Sequence, residues 1–351
     1  MTTQKYTLII VDEHTPLTTQ INDYFRTYFP VQSVLTVSSL NEIGVDSFQN
    51  SLVLINANRF IETNEIVSMA QLIKKHSISV IPYFEPDFDD MGTVLDSIEL
   101  GAVDAVSSCI FSSGPGCSDS ERVAFNGFIN SLFENQLNFD IDLLRLRLYP
   151  FANEDITVQT KKNRSLVVIG SDFGGISTIL GLIPQFPASY KNSFCVLMNG
   201  NNRLMEALVD RLQVNSSLKV RLVRRAMVIE SSTVYVIAAN RTPVLDSWDG
   251  KNISILVNDA LPFEISLKHW IDPFMFSAAE IYGKNTVGIL LGGLQEDGIL
   301  GLEKIKEHKG TTIIQSNKSY PSNMRLKIAR KKNCAQKIVY AGDMAKEIMQ
   351  L

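Results

Sequence analysis

A short turn, IGSDFGG (169–175), carries the residues of this 351-residue chain that are best placed to do chemistry. It joins an apolar run, SLVVIG, to a stretch with helical spacing, ISTILGLI. A strand-to-helix turn of this kind exposes a nucleophile at the edge of a sheet, or binds a phosphate through backbone N–H groups. Ser171 and Asp172 are the candidate nucleophiles. The candidate turn glycines are Gly170, Gly174 and Gly175.

The residues of this turn allow three interpretations. The first is nucleophilic catalysis, in which Ser171 needs a neighbouring base and Asp172 would form an ester that only an activated water could hydrolyse. The second is structural, with the Asp172 carboxylate stabilised by the N–H groups at the start of the following helix. The third is a phosphate site, because GxxxGG supplies N–H groups, although the charge of Asp172 would repel a phosphate.

The first 137 residues alternate between short apolar runs and amphipathic patterns. The runs predict five strands: YTLIIV (6–11), SVLTV (33–37), SLVLIN (51–56), SISVIPYF (77–84) and VDAVSSCI (103–110). The stretches between them have the spacing of helices. A succession of βα units this short predicts a doubly wound parallel sheet, with any site at the carboxyl ends of its strands.

A polar segment, 138–164, is predicted to link this domain to a second one, 165–351. The second domain shows the same alternation of apolar runs and helical patterns, which predicts another α/β domain. Its β-like run MVIESSTVYVIAA (227–239) contains SST, which suits a hairpin turn. The expected fold is therefore two doubly wound, three-layer α/β domains, the second Rossmann-like with an added β-hairpin.

The patterns IIVDE, LVLIN, VIPYF and GAVDAVSSCI resemble a response-regulator receiver domain, a flavodoxin-like fold, over residues 5–135. Receivers hold magnesium with an acidic pair after the first strand, which Asp12 and Glu13 match. The resemblance places Asn56 at the phosphoacceptor aspartate, Phe84 at a hydroxyl residue and Ser108 at a lysine. Because an amide is a poor phosphoacceptor, we expect a pseudo-receiver that serves as a dimerisation or docking module and is not conventionally phosphorylated.

The second half resembles the catalytic domain of the chemotactic receptor methylesterases over residues 165–345. The motif ILLGGLQEDGILGLEKIKEHKGTTIIQS carries this resemblance, with Asp297 as its aspartate and Leu294 in the same turn. The resemblance implies hydrolysis of glutamyl methyl esters and deamidation of glutamines on the cytoplasmic helices of chemoreceptors. The family does this with a Ser/His/Asp triad, in which serine attacks, histidine moves the proton and aspartate orients the histidine.

Two triad positions depart from the family pattern. Asp172 falls at the serine and Asn199, in LMNGNNR, at the histidine, while Ser171 lies one residue early. Asparagine cannot accept and return a proton near neutral pH, and His269 in another loop is the alternative base. Without a histidine partner, Asp297 is expected to cap the helix that follows it.

Charge and composition exclude several other classes of protein. A net charge of -4 without a long basic stripe predicts no nucleic-acid partner, and the lack of an 18-residue apolar run predicts no membrane insertion. Four cysteines without CxxC spacing, and an N-terminus without a secretory pattern, predict reduced thiols and a cytoplasmic location. The histidines lack ligand spacing, so the sequence predicts no cofactor beyond a weak magnesium site at Asp12 and Glu13.

Together these patterns predict a chemotaxis-type signalling protein that has lost both the phosphoacceptor and the triad. It would bind chemoreceptor helices, another signalling protein, or a second copy of itself through the receiver-like domain. The competing interpretation is an active methylesterase or glutamine deamidase with Ser171 or Asp172 as its nucleophile.

Overall fold

The computed structural model divides the chain into two compact units, Met1–Arg145 and Leu146–Leu351. Each unit contains its own parallel sheet, and the predicted link, 138–164, lies outside the described residues. No helix of the described part combines the length and apolar composition needed to cross a membrane. The structure describes residues 6–44, 50–76, 78–112, 117, 119–134, 165–238, 242–247, 252–258, 270–293, 296–316 and 324–351.

The N-terminal unit contains a five-stranded sheet whose neighbouring strands are all parallel. Its strands are β1 (Tyr6–Val11), β2 (Val31–Val37), β3 (Ser51–Asn56), β4 (Ser79–Phe84) and β5 (Val106–Ser107). Its helices are α1 (Pro16–Tyr28), α2 (Asn58–Glu62), α3 (Glu65–His76), α4 (Met91–Glu99) and α5 (Asp119–Glu134).

The strand order of this sheet is β2-β1-β3-β4-β5. Strands β3 and β4 are buried along their whole length and β1 along nearly all of it, as strands covered on both faces must be. In this order β1 lies between β2 and β3. The chain runs from β1 to β2 on one side and then crosses back to β3 on the other side of β1. Polar residues just after β1 and β3 therefore meet in one crevice.

The fifth strand is shorter than the predicted run 103–110. It ends at Ser107, and the chain continues as a 3₁₀ turn, Ser108–Phe111. The Asp104 carboxylate accepts the N–H of Ala105, and the Cys109 carbonyl accepts both the N–H and the hydroxyl of Ser112. Local hydrogen bonds thus satisfy backbone groups that a longer strand would have paired.

Aromatic rings hold this 3₁₀ turn against the core of the N-terminal unit. The ring of Phe111 stands edge-on to Tyr24, Tyr83 and Phe125, with centroid distances of 5.5, 6.3 and 5.7 Å. Edge-to-face pairs at this separation add to the free energy gained by burying the rings. The turn after β5 is therefore fixed to both α1 and β4 by packing.

The C-terminal unit contains a seven-stranded parallel sheet of order β15-β14-β13-β6-β7-β10-β8. The strands of this sheet are β6 (Leu166–Gly170), β7 (Ser193–Met198), β8 (Lys219–Leu222), β10 (Thr233–Ala238), β13 (Thr286–Leu290), β14 (Thr311–Gln315) and β15 (Lys337–Val339). The helices are α6 (Ile176–Leu182), α7 (Asn202–Asn215), α8 (Ile271–Tyr282), α9 (Ile299–Glu307), α10 (Met324–Lys332) and α11 (Met344–Met349). Two parallel sheets with interspersed helices confirm the predicted α/β class.

A smaller antiparallel sheet completes this unit, with β12 (Ser254–Asn258) between β11 (Thr242–Asp246) and β9 (Met227–Val228). The predicted hairpin through SST is wrong, because residues 231–233 connect β9 to β10, which belongs to the other sheet. Strand β10 is buried along its whole length and pairs in parallel with β7 and β8. Ser231 and Ser232 do form a turn, with a φ of 56° at Ser232, but the strand after it joins the parallel sheet and does not pair back on β9.

Helices α8 and α9 approach closely because a glycine lies at their contact. A Cβ atom on Gly301 of α9 would lie 2.6 Å from the Cβ of Met275 in α8, nearer than real Cβ contacts allow. The side chains of Met275 and of its neighbours on α8 belong to one buried core with Ile299, Leu302 and Ile305 of α9. The packing of this core thus depends on the missing side chain at Gly301.

We expect Gly301→Ala to lower the free energy of unfolding by about 1–3 kcal/mol, because the added methyl group overpacks the contact with Met275. Gly181→Ala is the matched control, since nothing lies within 4 Å of a Cβ at Gly181 in α6. That change should be neutral or stabilise by up to about 1 kcal/mol, owing to the helix propensity of alanine. Urea unfolding of both variants measures the effect, and equal stability of the two would contradict the overpacking argument.

Candidate functional site

The candidate site of the C-terminal unit lies where β6, β7 and β13 end. The N–H of Ser171 donates to the Leu197 carbonyl at 2.9 Å, and the N–H of Leu291 donates to the Gly170 carbonyl at 3.0 Å. These bonds extend the pairing one residue past β6 and β13, so the turns that follow the three strands begin at the same edge. This edge is the point where the chain leaves β6 towards β7 on one side and returns to β13 on the other.

Ser171 faces the inside of its own turn. Its side chain is fully buried, and its hydroxyl donates to the Asp172 carbonyl at 3.2 Å. A Cβ atom on Gly175 would lie 1.6 Å from the Ser171 Oγ, so the hydroxyl occupies the space that only a glycine leaves open. Without a movement of the turn, the Ser171 hydroxyl cannot reach a substrate outside it.

Asp172 lies at the mouth of the same turn and is also largely buried. One carboxylate oxygen accepts the N–H of Phe173 at 2.9 Å, and its backbone carbonyl accepts the N–H of Gly175 at 3.1 Å. Gly174 has a φ of 85°, a conformation that favours glycine. The hydrogen bonds and the two glycines make this a tight turn, and the donor to the Asp172 carboxylate is Phe173 of the turn, not an N–H group of α6.

Asn199 follows β7 and is partly exposed at this edge. The chain then turns at Gly200, with a φ of 152°, and Asn201 caps α7 by accepting the N–H of Leu204 at 2.8 Å. An asparagine two residues before a helical pattern is an N-cap signal, so this role of Asn201 could be found from sequence. Asn199 therefore lies between the end of β7 and the cap of α7.

Asp297 caps a different helix from the one predicted. Its carboxylate accepts three backbone N–H groups at 3.0 Å each, from Trp270, Ile271 and Asp272 at the start of α8. Helix α9, which follows Asp297 in sequence, has Gly298 as its N-cap, and the N–H of Gly301 in its first turn donates to the Asp272 carboxylate of α8 at 2.6 Å. Gly298 has a φ of 88°, which turns the backbone so that the Asp297 side chain points back to α8.

Burial determines the electrostatics of Asp297. It raises the pKa of this carboxyl group, and the three N–H donors of α8 and the Arg325 guanidinium oppose the rise. Arg325 is itself buried and donates to the carbonyls of Leu291 and Gly292 at 3.0 and 3.1 Å. Sequence reasoning missed Arg325, because the basic stretch after it suggests a solvated helix end; its position among the apolar residues of α10 is the signal that could have found it.

A second polar cluster lies at the carboxyl ends of β1 and β3 in the N-terminal unit. Asp12 is buried, and one of its oxygens accepts the Asn56 amide at 3.0 Å and the Tyr83 hydroxyl at 2.5 Å. Its other oxygen accepts the N–H of Glu13 at 2.8 Å. Burial, followed by the Asp12 carboxylate, raises the pKa of Tyr83, which keeps this hydroxyl a donor. The amide of Asn56 thus supplies one of the hydrogen bonds that the buried Asp12 carboxylate needs.

The other residues predicted for this cluster have different roles. Glu13 is exposed and faces the Arg59 guanidinium at 3.8 Å, and Arg59 also donates to the Ser38 carbonyl at 2.7 Å. Phe84 and Ser108 are buried. Sequence reasoning missed Tyr83 and Arg59, each one to three residues from a predicted site position.

These residues do not fit a magnesium ion. Both oxygens of Asp12 already accept hydrogen bonds, Asn56 presents its amide donor to them, and Glu13 points to a guanidinium. A hard divalent cation needs several oxygen ligands with free lone pairs. Within the described ranges, no three His, Cys, Asp or Glu side chains converge as metal ligands.

Comparison with known proteins decides the family of the chain. A family model described as CheB methylesterase matches residues 167–348. The chain belongs to the CheB methylesterase family. The match includes the turn after β6, Asn199, Asp297 and Arg325, and leaves the polar cluster of the N-terminal unit outside it.

The similarity to individual relatives extends over more of the chain than the family model does. The chain is 28% identical over 259 residues to the protein-glutamate methylesterase/protein-glutamine glutaminase 1 of Carboxydothermus hydrogenoformans, over 72% of this chain and 71% of that protein. It is 24% identical over 259 residues to the protein-glutamate methylesterase/protein-glutamine glutaminase of Pyrococcus abyssi, over 73% and 68%. It is also similar to the crystal structure of the Thermotoga maritima CheB methylesterase catalytic domain, at 21% identity and a TM-score of 0.47, over 54% of this chain and 98% of that one.

Two residues predicted for the CheB methylesterase site, Leu294 and His269, lie outside the described residues. The assignment of Asp172 and Asn199 to triad positions stays a prediction. In the described residues of the turns directly after β6, β7 and β13 (171–175, 199–201, 291–293 and 296–298), no side chain is a histidine. In the triad mechanism, an imidazole between the serine hydroxyl and the carboxylate carries the proton.

Asp297→Ala should lower the free energy of unfolding by roughly 2–5 kcal/mol, since it leaves three buried N–H groups at the start of α8 without their acceptor. Asp297→Asn retains one accepting oxygen and should cost about half as much. The exposed neighbour Glu296 provides the control, as Glu296→Ala should change stability by less than about 0.5 kcal/mol. Urea unfolding measures all three, and an Asp297→Ala protein as stable as the control would rule out this capping role.

Asn56→Asp should destabilise the N-terminal unit, because it replaces the donor to Asp12 by a second negative charge. Magnesium should then restore stability, by about 2.7 kcal/mol at a free concentration of about 100 times Kd. The wild type and Asn56→Ala should show no such dependence. Unfolding with MgCl2, against NaCl at equal ionic strength, tests this, and a wild type stabilised by magnesium would show that the cluster binds the ion as it stands.

Proposed function

We propose that this member of the CheB family acts by binding signalling partners and has lost methyl-ester hydrolysis. The observation that supports this is the state of the turn after β6, where the only hydroxyl is fully buried and donates to its neighbouring carbonyl. Residues after β7 and β13 do not compensate, because Asn199 is an amide and the Asp297 carboxylate is occupied by α8.

Each departure affects a separate step of the triad reaction. A serine nucleophile needs a base within hydrogen-bond reach, and an asparagine side chain neither takes nor returns a proton near neutral pH. An aspartate that orients a histidine must accept its N–H through a free lone pair of the carboxylate. Three N–H groups of α8 already use most of the lone pairs of Asp297, so a histidine restored at Asn199 would have to share this carboxylate with the cap of α8.

The N-terminal unit is part of the same proposal, as a pseudo-receiver that is not conventionally phosphorylated. Its strand order, 2-1-3-4-5, is the flavodoxin-like one, which receivers share. Asn56 donates to Asp12 where the receiver resemblance implies a phosphoacceptor carboxylate. In this proposal the unit serves for docking, including docking to a second copy of itself.

Charge indicates what kind of partner each unit attracts. Residues 1–145 contain 7 Lys and Arg against 19 Asp and Glu, whereas residues 146–351 contain 26 against 18. In the C-terminal unit, the exposed Arg203 and Arg225 follow β7 and β8 and thus lie at the same sheet edge as the turn with Asp172. These two exposed arginines favour an acidic partner. We therefore propose glutamate-rich chemoreceptor helices, in the cytoplasm, as partners of this edge.

The second candidate function is that of an active methylesterase or glutamine deamidase with Ser171 or Asp172 as its nucleophile. The observation that favours it is the activity named for the relatives, protein-glutamate methylesterase and protein-glutamine glutaminase. It requires a movement of the turn that brings the Ser171 hydroxyl to the surface, or direct attack by the Asp172 carboxylate.

The test is to incubate the full chain with a methylated chemoreceptor cytoplasmic fragment and to measure methanol release together with binding. We expect binding without release above background, and the same result for Ser171→Ala and Asp172→Ala. Arg225→Glu should weaken binding about tenfold or more at low salt, because it reverses a charge at the proposed contact. Lys284→Glu, an exposed lysine just before β13 at the opposite edge, is the matched control and should leave the affinity unchanged.

The outcomes separate the two candidates. Methanol release that one of these substitutions abolishes would overturn the binding proposal and identify the nucleophile. An affinity that falls equally with Arg225→Glu and Lys284→Glu would contradict the proposed contact edge and leave only a general effect of net charge.

A further inference from the structure

Two of the four cysteines lie together at the end of the N-terminal sheet. Cys109 is in the 3₁₀ turn that follows β5, and Cys117 lies two residues before α5. Both are partly exposed, whereas Cys195 and Cys334 are buried. The pair is therefore accessible to small solutes, while the other two cysteines are not.

The two thiols contact each other directly. Cys117 hydrogen-bonds to the sulfur of Cys109, and Ser107 makes a further side-chain hydrogen bond to it. Arg122 of α5 donates to the Ile110 carbonyl at 3.2 Å and to the Ser112 carbonyl at 2.6 Å. These bonds fix the turn that carries Cys109 against the helix that begins two residues after Cys117.

This arrangement distinguishes the two sulfurs chemically. The hydrogen bond from Cys117 lowers the pKa of Cys109 to about 6 against the effect of burial, with Ser107 and the charge of Arg122 acting in the same direction. The same contact raises the pKa of Cys117, which stays a thiol. The contact thus favours the thiolate at Cys109 and the thiol at Cys117, the combination that peroxide-sensing proteins use as attacking and resolving cysteine.

We propose that Cys109 and Cys117 form a reversible disulfide in response to a peroxide. The Cys109 thiolate attacks one oxygen of hydrogen peroxide, the O–O bond breaks, and Cys109 becomes a sulfenic acid as hydroxide leaves. The Cys117 sulfur then attacks the Cys109 sulfur, its proton and the sulfenic hydroxyl leave as water, and the S–S bond forms. A dithiol reductant reverses the reaction by thiol–disulfide exchange.

The disulfide would act on the polar cluster of the same unit through packed rings. Cys109 is two residues from Phe111, whose ring contacts Tyr83, and the Tyr83 hydroxyl donates to Asp12. A displacement of the 3₁₀ turn therefore reaches the carboxylate at the crevice of the sheet. Oxidation would thus let the N-terminal unit respond to a signal, a peroxide, without a phosphoacceptor.

The test treats the full-length protein with hydrogen peroxide and follows intact mass, peptide maps and sulfenic-acid trapping. We expect the loss of two hydrogen atoms and a Cys109–Cys117 crosslinked peptide, both reversed by dithiothreitol. Cys117→Ser keeps a donor to Cys109 but lacks the resolving sulfur, so trappable sulfenic acid should accumulate at Cys109. Cys109→Ser should abolish both products, and Cys195→Ser, the control, should behave as wild type.

Alkylation of Cys109 as a function of pH gives an independent readout. Its midpoint should lie near 6 in the wild type, stay low in Cys117→Ser, and rise towards the ordinary thiol value of about 8.5 in Cys117→Ala, which removes the donor. Direct overoxidation of wild-type Cys109 without a crosslink, first reaction at Cys117, or crosslinks only between chains would each overturn the proposal.

Discussion

The C-terminal unit depends on one carboxylate. Asp297 links the turn after β13 to the first N–H groups of α8, and α8 supplies Trp270, Ile271, Phe274 and Met275 to the main core of the unit. A helix that is buried on most of its surface needs its terminal N–H groups satisfied from within the protein. The same turn is held on its other side by Arg325, which is buried under the carbonyls that end β13. The edge that carries the family motif is therefore also the edge at which the core is assembled.

The sequence predicts most strands of the two parallel sheets well. A buried strand is a continuous apolar run, which can be recognised without knowing which strands pair with it. Prediction from sequence fails where a distant contact decides the local structure. Residues 108–111 contain strand formers, yet the ring of Phe111 packs against Tyr83 and the chain turns. The SST segment has turn chemistry, yet β10 pairs in parallel with β7. Asp297 precedes a helix and caps another, which no pattern of spacing could indicate.

For the candidate sites, sequence located the edges but not the hydrogen bonds. Asp12 and Asn56 were expected together, and they contact each other, but Tyr83 is the further donor that completes the cluster. The apolar run SISVIPYF predicts that Tyr83 lies in a strand; it does not show that the Tyr83 hydroxyl reaches across to Asp12 after β1. Likewise, the candidate serine lies in the expected turn, and only the backbone conformation shows that Gly175 receives its hydroxyl. Residue identity predicts which groups can react, whereas the direction of each side chain decides which of them do.

The unequal charge of the two units has a consequence for handling the protein. The acidic unit of one molecule and the basic unit of another attract each other when little salt is present. At a pH near the sequence pI of about 5.7, the net charge of the whole chain is close to zero. Two molecules then hardly repel each other, so this attraction dominates. The chain should therefore bind both anion and cation exchangers, and it should precipitate on dialysis against dilute buffer and redissolve when salt is added.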